Sequence, residues 1–258
     1  MAAVKACNIL ITGANRGLGL EMVRQLVEVP CSNRQIFACC RDPDSPKSND
    51  LRELAKKHPG VIKNIQLDVT DEKSVKEAAK NVGPLLGKAG LNLLVNNAGM
   101  AILGDSQTST TEDMLTTFNT NAIGSFIVTK EFMPYLRTAA KASGTPGMSC
   151  NKAAIINVST IVASMACVHE IYTMIQAFPY NVSKAALNMM TVLTAIDCKP
   201  EEILVMALHP GWVKTDMGGD QAQIDVQESV GGMLRVMSGL TEKQHGAYMD
   251  YTGKTLPW

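Results

Sequence analysis

The sequence has no net charge, since 24 Lys and Arg balance 24 Asp and Glu. That removes any bulk electrostatic pull toward nucleic acid or an anionic membrane, so recognition by charge has to be local. No uninterrupted apolar stretch is long enough to span a bilayer. No signal peptide is expected, because an apolar run and a glycine-rich loop begin almost at once. Internal repeats and low-complexity tracts are absent. The seven cysteines are irregularly spaced and include no CxxC pair, which excludes a spacing-defined zinc or redox motif. Such usage fits a reducing compartment, and the cytoplasm is the expected address. His58, His209 and His245 lack Cys or carboxylate partners at ligand spacing, so no metal site is expected.

Against these absences stands a regular alternation. Apolar runs at 8–12, 35–40, 61–67, 91–95, 153–158, 203–208 and 247–251 read as strands. Several are apolar on successive residues, as strands covered on both faces require. Between them lie amphipathic segments at 17–29, 49–57, 71–82, 112–140, 181–198 and 226–237, read as helices. The first carries Leu18, Met22 and Leu26 on one stripe. In the long fourth segment, Ser109 with Glu112 suggests a capping box and Pro134 a kink or break. Strand–helix alternation predicts an α/β fold, a mostly parallel doubly wound sheet with helices on both faces. No composition shift marks a boundary, so 1–258 is read as one domain.

Residues 12–19 read TGANRGLG, between the first strand and the first helix. Gly13, Gly17 and Gly19 permit a sharp turn and close backbone approach to a pyrophosphate. The helix N-terminus adds unpaired N–H groups and partial positive charge. The spacing is GxxxGxG rather than GxGxxG, and a plain tight turn is the competing reading. The ribose-reading position falls about 20 residues further on, at the end of the second strand. There the sequence has Cys39, Cys40 and Arg41, with no acid at the tip. Arg41 can fork onto a 2′-phosphate, and Arg16 can reach the same place, which favours NADPH over NADH. The alternative pairs Arg41 with Asp42 and leaves Arg16 in solvent.

Tyr180 and Lys184 lie four apart in YNVSK, on one helical face. A phenol titrates near 10, and a nearby ammonium in a partly buried site can supply the roughly 4 kcal/mol needed to bring it toward neutrality. The tyrosine could then exchange a proton with a carbonyl oxygen. Taken alone, such a pair is more often plain helix surface.

Together these features resemble the short-chain dehydrogenase/reductase family. The resemblance is carried by the glycine loop, Asp68, Asn96–Gly99, Asn121 in NAIGSF, Asn157-Val158-Ser159-Thr160, Tyr180 with Lys184, and Pro210-Gly211 with Thr215, in that order. Within the family, ILITGANRGLGLEMV, HPGWVKTDMGG and GKTLPW are similar to sniffer-type carbonyl reductases and C-factor-like proteins. The resemblance implies a Rossmann-type sheet of order 3-2-1-4-5-6-7 and NADPH-dependent reduction of small hydrophobic aldehydes, ketones or quinones. Homodimers or homotetramers are also implied.

By the same resemblance, Gly13, Asn15, Arg16, Gly17, Leu18 and Gly19 form the phosphate loop, and Arg41 reads the ribose end. Asp68 and Val69 flank the adenine. Asn97, Ala98 and Gly99 line the cofactor, and Pro210, Gly211, Val213 and Thr215 clasp its nicotinamide end. Tyr180 is the acid/base, Lys184 also binds the nicotinamide ribose, and Asn121 holds a relay water. Thr160 stands where the family usually has Ser; it keeps a donor, but the extra methyl stiffens and narrows the site. Asp68 as a helix cap and Asn121 as a helix-bending residue remain the structural alternatives.

Twenty positions separate Thr160 from Tyr180, more than the family usually has. The intervening loop, rich in Met, Ile, Val and aromatic residues, is read as a wall of the substrate pocket. His169 within it is read as solvated or packed. The competing function is a non-catalytic NADPH-binding signalling protein; an epimerase or dehydratase has little room for its substrate domain after Pro210.

Overall fold

A computed structural model describes residues 4–258. Seven strands alternate with helices: β1 (Asn8–Thr12), α1 (Gly17–Glu28), β2 (Gln35–Cys40), α2 (Asn49–Lys57), β3 (Ile62–Gln66), α3 (Glu72–Leu86), β4 (Leu93–Asn96), α4 (Thr111–Phe118), α5 (Gly124–Ala142), β5 (Ala154–Val158), α6 (Val168–Ile171), α7 (Phe178–Cys198), β6 (Leu204–His209), α8 (Val226–Ser238) and β7 (Tyr248–Asp250). They form one sheet of order β3-β2-β1-β4-β5-β6-β7, with every neighbouring pair parallel. The expected fold and strand order are therefore observed.

Alternating side chains divide the core between the two sheet faces. Ile9, Ile11, Ile36, Ala38 and Cys40 pack with Met22, Val23 and Leu26 of α1, Leu51 of α2, and Val230, Met233 and Met237 of α8. Leu10, Phe37 and Cys39 point the other way, into Val75 and Val82 of α3, Val128, Phe132 and Leu136 of α5, and Ala195 of α7. Burial on both faces explains why these strands are almost continuously apolar.

The long fourth segment departs from expectation. It is two α-helices joined by a π-helical turn at Asn119–Ile123, with the Gly124 N–H bonded to the Asn119 carbonyl. Pro134 sits inside α5 without ending it. The capping box is Thr110 with Asp113, not Ser109 with Glu112. The Asp113 carboxylate accepts from the Thr110 N–H at 2.9 Å, and Thr110 Oγ1 accepts from the Asp113 N–H at 3.1 Å. Likewise α3 runs past its expected end at 82 to Leu86, through Pro84.

Two glycines between α3 and β4 have different jobs. Both are left-handed, Gly87 at φ +53° and Gly90 at φ +69°. A Cβ on Gly87 would meet nothing within 4 Å, whereas one on Gly90 would lie 2.4 Å from the Ala139 nitrogen and 2.5 Å from the Tyr135 carbonyl oxygen. Gly87→Ala should therefore cost only the backbone term, about 1–2 kcal/mol. Gly90→Ala should cost about 2–4 kcal/mol, because α5 must also move away from β4. Urea midpoints of the two variants check this; equal losses would refute it.

Candidate active site

All seven strands end on one edge, and the order turns back between β1 and β4, where a crevice opens. The glycine loop lies at that crevice. A Cβ on Gly19 would fall 2.2 Å from the Gly13 carbonyl oxygen, so the start of α1 can press against the loop only without a side chain there. Gly13 is left-handed, at φ +64°, and touches Ala98. Thr12 Oγ1 accepts from the N–H groups of Asn97 and Ala98 at 3.0 Å each. The Asn97 amide donates to the carbonyls of Thr12 at 2.8 Å and Gly13 at 3.2 Å. Asn97 thus fixes the loop rather than turning its amide into the crevice. The N-terminus of α1 has no side-chain cap and no acid in its first turn. Its N–H groups and dipole suit a pyrophosphate, so the residues present fit a dinucleotide. Asn15 donates to the Lys47 carbonyl at 3.4 Å, and Leu18 is half-buried against the core.

The two arginines part company. Arg41 is exposed at the end of β2 and makes no ion pair among the described residues. Asp42, its expected alternative partner, instead accepts from the N–H groups of Asp44 and Ser45. Arg16 pairs with Asp216, on the segment that follows Val213 and Thr215. The reading of Arg16 as either phosphate-bound or solvated did not foresee that partner. Both members are largely exposed, and such pairs are worth little, so the pairing is easily exchanged for another anion.

Asp68 does not cap α3; Asp71 does. The Asp68 carboxylate closes its own turn by accepting from the Thr70 N–H and hydroxyl, at 2.9 and 2.7 Å. Val69 is buried beneath Gly124, where a Cβ would meet Val69 atoms at 2.9 Å. Pro210 accepts from Ser229 Oγ at 2.5 Å, and left-handed Gly211 packs against Ile224 and Tyr251. Val213 is buried, while the Thr215 methyl faces Gly17 at 3.6 Å from a Cβ built there. The end of this segment, at Thr215 and Asp216, therefore meets the glycine loop at Gly17 and Arg16.

The chemistry-bearing side chains converge at the ends of β4 and β5. Lys184 is buried, and its Nζ donates to the Val158 carbonyl at 2.7 Å. That Nζ stands 6.0 Å from the Tyr180 ring centroid. A Cβ on Gly99 would be 3.5 Å from Lys184 Nζ and 3.1 Å from Asn121 Oδ1, which puts all three side by side. Asn121 accepts from the Met100 N–H at 2.9 Å and donates to the Met100 carbonyl and Ser183 Oγ at 2.8 and 2.9 Å. Its amide clamps the β4–α4 loop to α7 at the π turn. Thr160, nearly buried, brings its hydroxyl beside the Tyr180 phenol. Its carbonyl accepts from the Tyr248 hydroxyl, and the Tyr248 ring stacks on Trp258 at 5.1 Å.

Ser183, Asp216, Tyr248 and the Val158 carbonyl were not singled out in the sequence. Ser183 lies inside YNVSK, Asp216 inside HPGWVKTDMGG and Val158 inside the Asn157–Thr160 motif, whereas Tyr248 had no motif around it. The long loop carries Met165 at 68% and Met174 at 78% exposure, and His169 is exposed. Gly104 binds this loop through its N–H to the Gln176 carbonyl and its carbonyl to the Phe178 N–H, both at 2.9 Å.

The electrostatics correct one expectation. Burial pushes the Tyr180 phenol up to about 12, although the Thr160 hydroxyl pulls it back. Burial also brings the Lys184 ammonium down to about 8. Lys184 donates its hydrogen bond to the Val158 carbonyl, and burial outweighs the other influences on the phenol.

A helix N-terminus ready for phosphates, at the turning point of a parallel sheet and beside a half-buried Tyr180 with buried Thr160 and Lys184, defines a dinucleotide-dependent oxidoreductase. The model of the short chain dehydrogenase family matches residues 7–225. An NADPH-bound carbonyl reductase from chicken fatty liver superposes with a TM-score of 0.95 at 43% identity, covering 100% of this chain and 96% of that one. The carbonyl reductase Sniffer of D. melanogaster gives 0.92 at 36% identity, covering 98% and 100%. The C-signal protein of Myxococcus xanthus is 37% identical over 172 residues, 65% of this chain and 93% of its own. The chain belongs to the short-chain dehydrogenase family.

A buried charge at Lys184 should show in stability. Below about pH 8 the fold carries the costly ammonium. From there to the ordinary lysine value near 10.4, the unfolded lysine holds a proton that the folded one has released, so stability contributed by this group rises with pH. Lys184→Met should therefore be more stable than the wild type at pH 7 by about 1–2 kcal/mol, after loss of the Val158 hydrogen bond. The advantage should shrink by pH 9.5. Buried thiols such as Cys150, raised to about 12, act in both proteins and cancel in the difference. Urea denaturation of the ligand-free proteins at the two pH values measures it.

Proposed function

We propose that this chain reduces small hydrophobic aldehydes, ketones or quinones with NADPH. The observation that carries this reading is the Tyr180–Thr160–Lys184 cluster beside the uncapped start of α1. NADPH, when bound, supplies the hydride. Gly13, Gly17, Gly19 and the α1 N-terminus hold its pyrophosphate, with Asn15 and Leu18 on the loop and Asp68 and Val69 toward the adenine. Arg41, with no ion-pair partner among the described residues, takes the 2′-phosphate, and Arg16 can join it by leaving Asp216. Ala98, Gly99, Pro210, Gly211, Val213 and Thr215 shape the nicotinamide end.

Tyr180 donates its proton to the carbonyl oxygen as negative charge grows there. A phenol held protonated by burial suits the reducing direction. Thr160 donates a second hydrogen bond to the same oxygen and fixes its position. The ammonium of Lys184 stabilises the phenolate left behind and returns a proton toward it. Asn121 and Ser183 act as positioning residues that hold the lysine's surroundings. The exposed Met165, Met174 and Leu103 offer a flexible apolar wall, which suits a broad range of hydrophobic carbonyl compounds.

NADPH oxidation with a panel of aldehydes, ketones and quinones tests the reading. Tyr180→Phe should bind NADPH normally and lose about 10²–10⁴-fold in kcat. NADPH binding without turnover on any panel member would instead favour a non-catalytic signalling role.

Cofactor preference gives a separate expectation. Arg41→Asp should raise KM for NADPH and shift the ratio of kcat/KM for NADPH over NADH by about 10-fold or more, because a charge-assisted hydrogen bond to phosphate is replaced by repulsion. An unchanged ratio would remove Arg41 from the cofactor site.

A further inference from the structure

Cys7 and Cys31 are 24 positions apart and form no spacing motif. Cys7 stands just before β1, and Cys31 lies between α1 and β2. Since β1 and β2 are parallel neighbours, with Asn8 opposite Gln35, their lead-in segments share one sheet edge. There the two sulfurs approach to 3.5 Å. Both thiols are free and half-buried, whereas Cys39, Cys40, Cys150 and Cys198 are buried. Arg34 is fixed beside them by donating to the carbonyls of Leu26 at 2.9 Å and Val4 at 2.8 Å.

We propose that Cys7 and Cys31 form an oxidation site at which hydrogen peroxide converts the two thiols into an intramolecular disulfide. The division of labour follows from their surroundings. Burial raises the Cys31 thiol, but the Asn33 N–H, the Cys7 thiol and the Arg34 guanidinium outweigh it, so Cys31 is lowered. Cys7 is raised by its own burial and by Cys31. Cys31 therefore supplies the thiolate that attacks.

Its sulfur attacks one peroxide oxygen; the S–O bond forms, the O–O bond breaks, and the departing oxygen leaves as water after taking a proton. The Cys7 sulfur then attacks the Cys31 sulfenic acid; the S–S bond forms, the S–O bond breaks, and the hydroxyl leaves as water with the Cys7 proton. Two thiols lose two electrons, and one hydrogen peroxide is reduced. The sulfurs need to move about 1.5 Å closer, between two segments that precede strands. β1 separates this edge from Gly13, a span of about 17 Å, so the site is remote from the proposed chemistry.

The test treats the purified full chain with equimolar hydrogen peroxide, blocks free thiols with N-ethylmaleimide and maps peptides by mass. The expected product has lost two hydrogens, carries a Cys7–Cys31 cross-link and is restored by dithiothreitol. The bridge should raise Tm by about 5 °C under non-reducing conditions, because it closes a loop in the unfolded chain. Cys7→Ser should leave a sulfenic acid on Cys31 that dimedone traps. Failure to form the bridge in folded protein, or a bridge between other cysteines or between two chains, would overturn the proposal. These readouts do not depend on carbonyl turnover.

Discussion

Parallel pairing is the constraint on which this molecule is built. A parallel neighbour can be reached only by a crossover, so every strand starts at one edge of the sheet and ends at the other. With all neighbouring strands parallel, the ends of β1, β4, β5 and β6 present their loops together, and the reversal of order between β1 and β4 opens the space between them. The opposite edge gathers the strand starts, and with them Cys7 and the segment leading into β2. Two chemically different neighbourhoods follow from one topological rule.

At the ending edge, most polar side chains serve geometry before chemistry. Thr12 and Asn97 tie the glycine loop to β4. The Asn96 amide donates to Asn157 at 2.8 Å, and Asn157 donates to Thr191 at 2.8 Å, binding β4, β5 and α7 into one buried network. Asn121 fastens the next loop to α7. Buried hydrogen bonds of this kind favour one arrangement, because breaking any of them leaves a further donor or acceptor unpaired, although Asn96 Oδ1 itself has no partner among the described residues. Lys184 is the costly member. Its single protein hydrogen bond, to Val158, does not offset the loss of water, which is why its ammonium is easily discharged.

Much of this was legible in the sequence. Each of the seven strands lies within two residues of its expected position at either end, because runs covered on both faces are apolar without interruption. The glycine loop, Tyr180, Lys184 and Thr160 were legible as well, since their meaning rests on spacing within one segment or on ordered motifs. The boundary at Asn119–Ile123 was not. Its helical periodicity runs on through the π turn, and the cause lies in bonds from Asn121 to Met100 and Ser183, far away in the chain. No break falls at Pro134: α5 runs through it, with Phe132 and Leu136 packed in the core on either side.

Local rules thus determined the elements, their order and which residues share a helical face, because i,i+4 and alternating patterns are properties of a short stretch of chain. Tertiary structure alone decided what those faces meet. Arg16 beside Asp216, Tyr248 under Thr160, and Cys7 against Cys31 join positions 200, 88 and 24 residues apart. The direction of the Tyr180 shift was decided there too, because burial is a sum over neighbours from many segments, while a nearby lysine is only one of them.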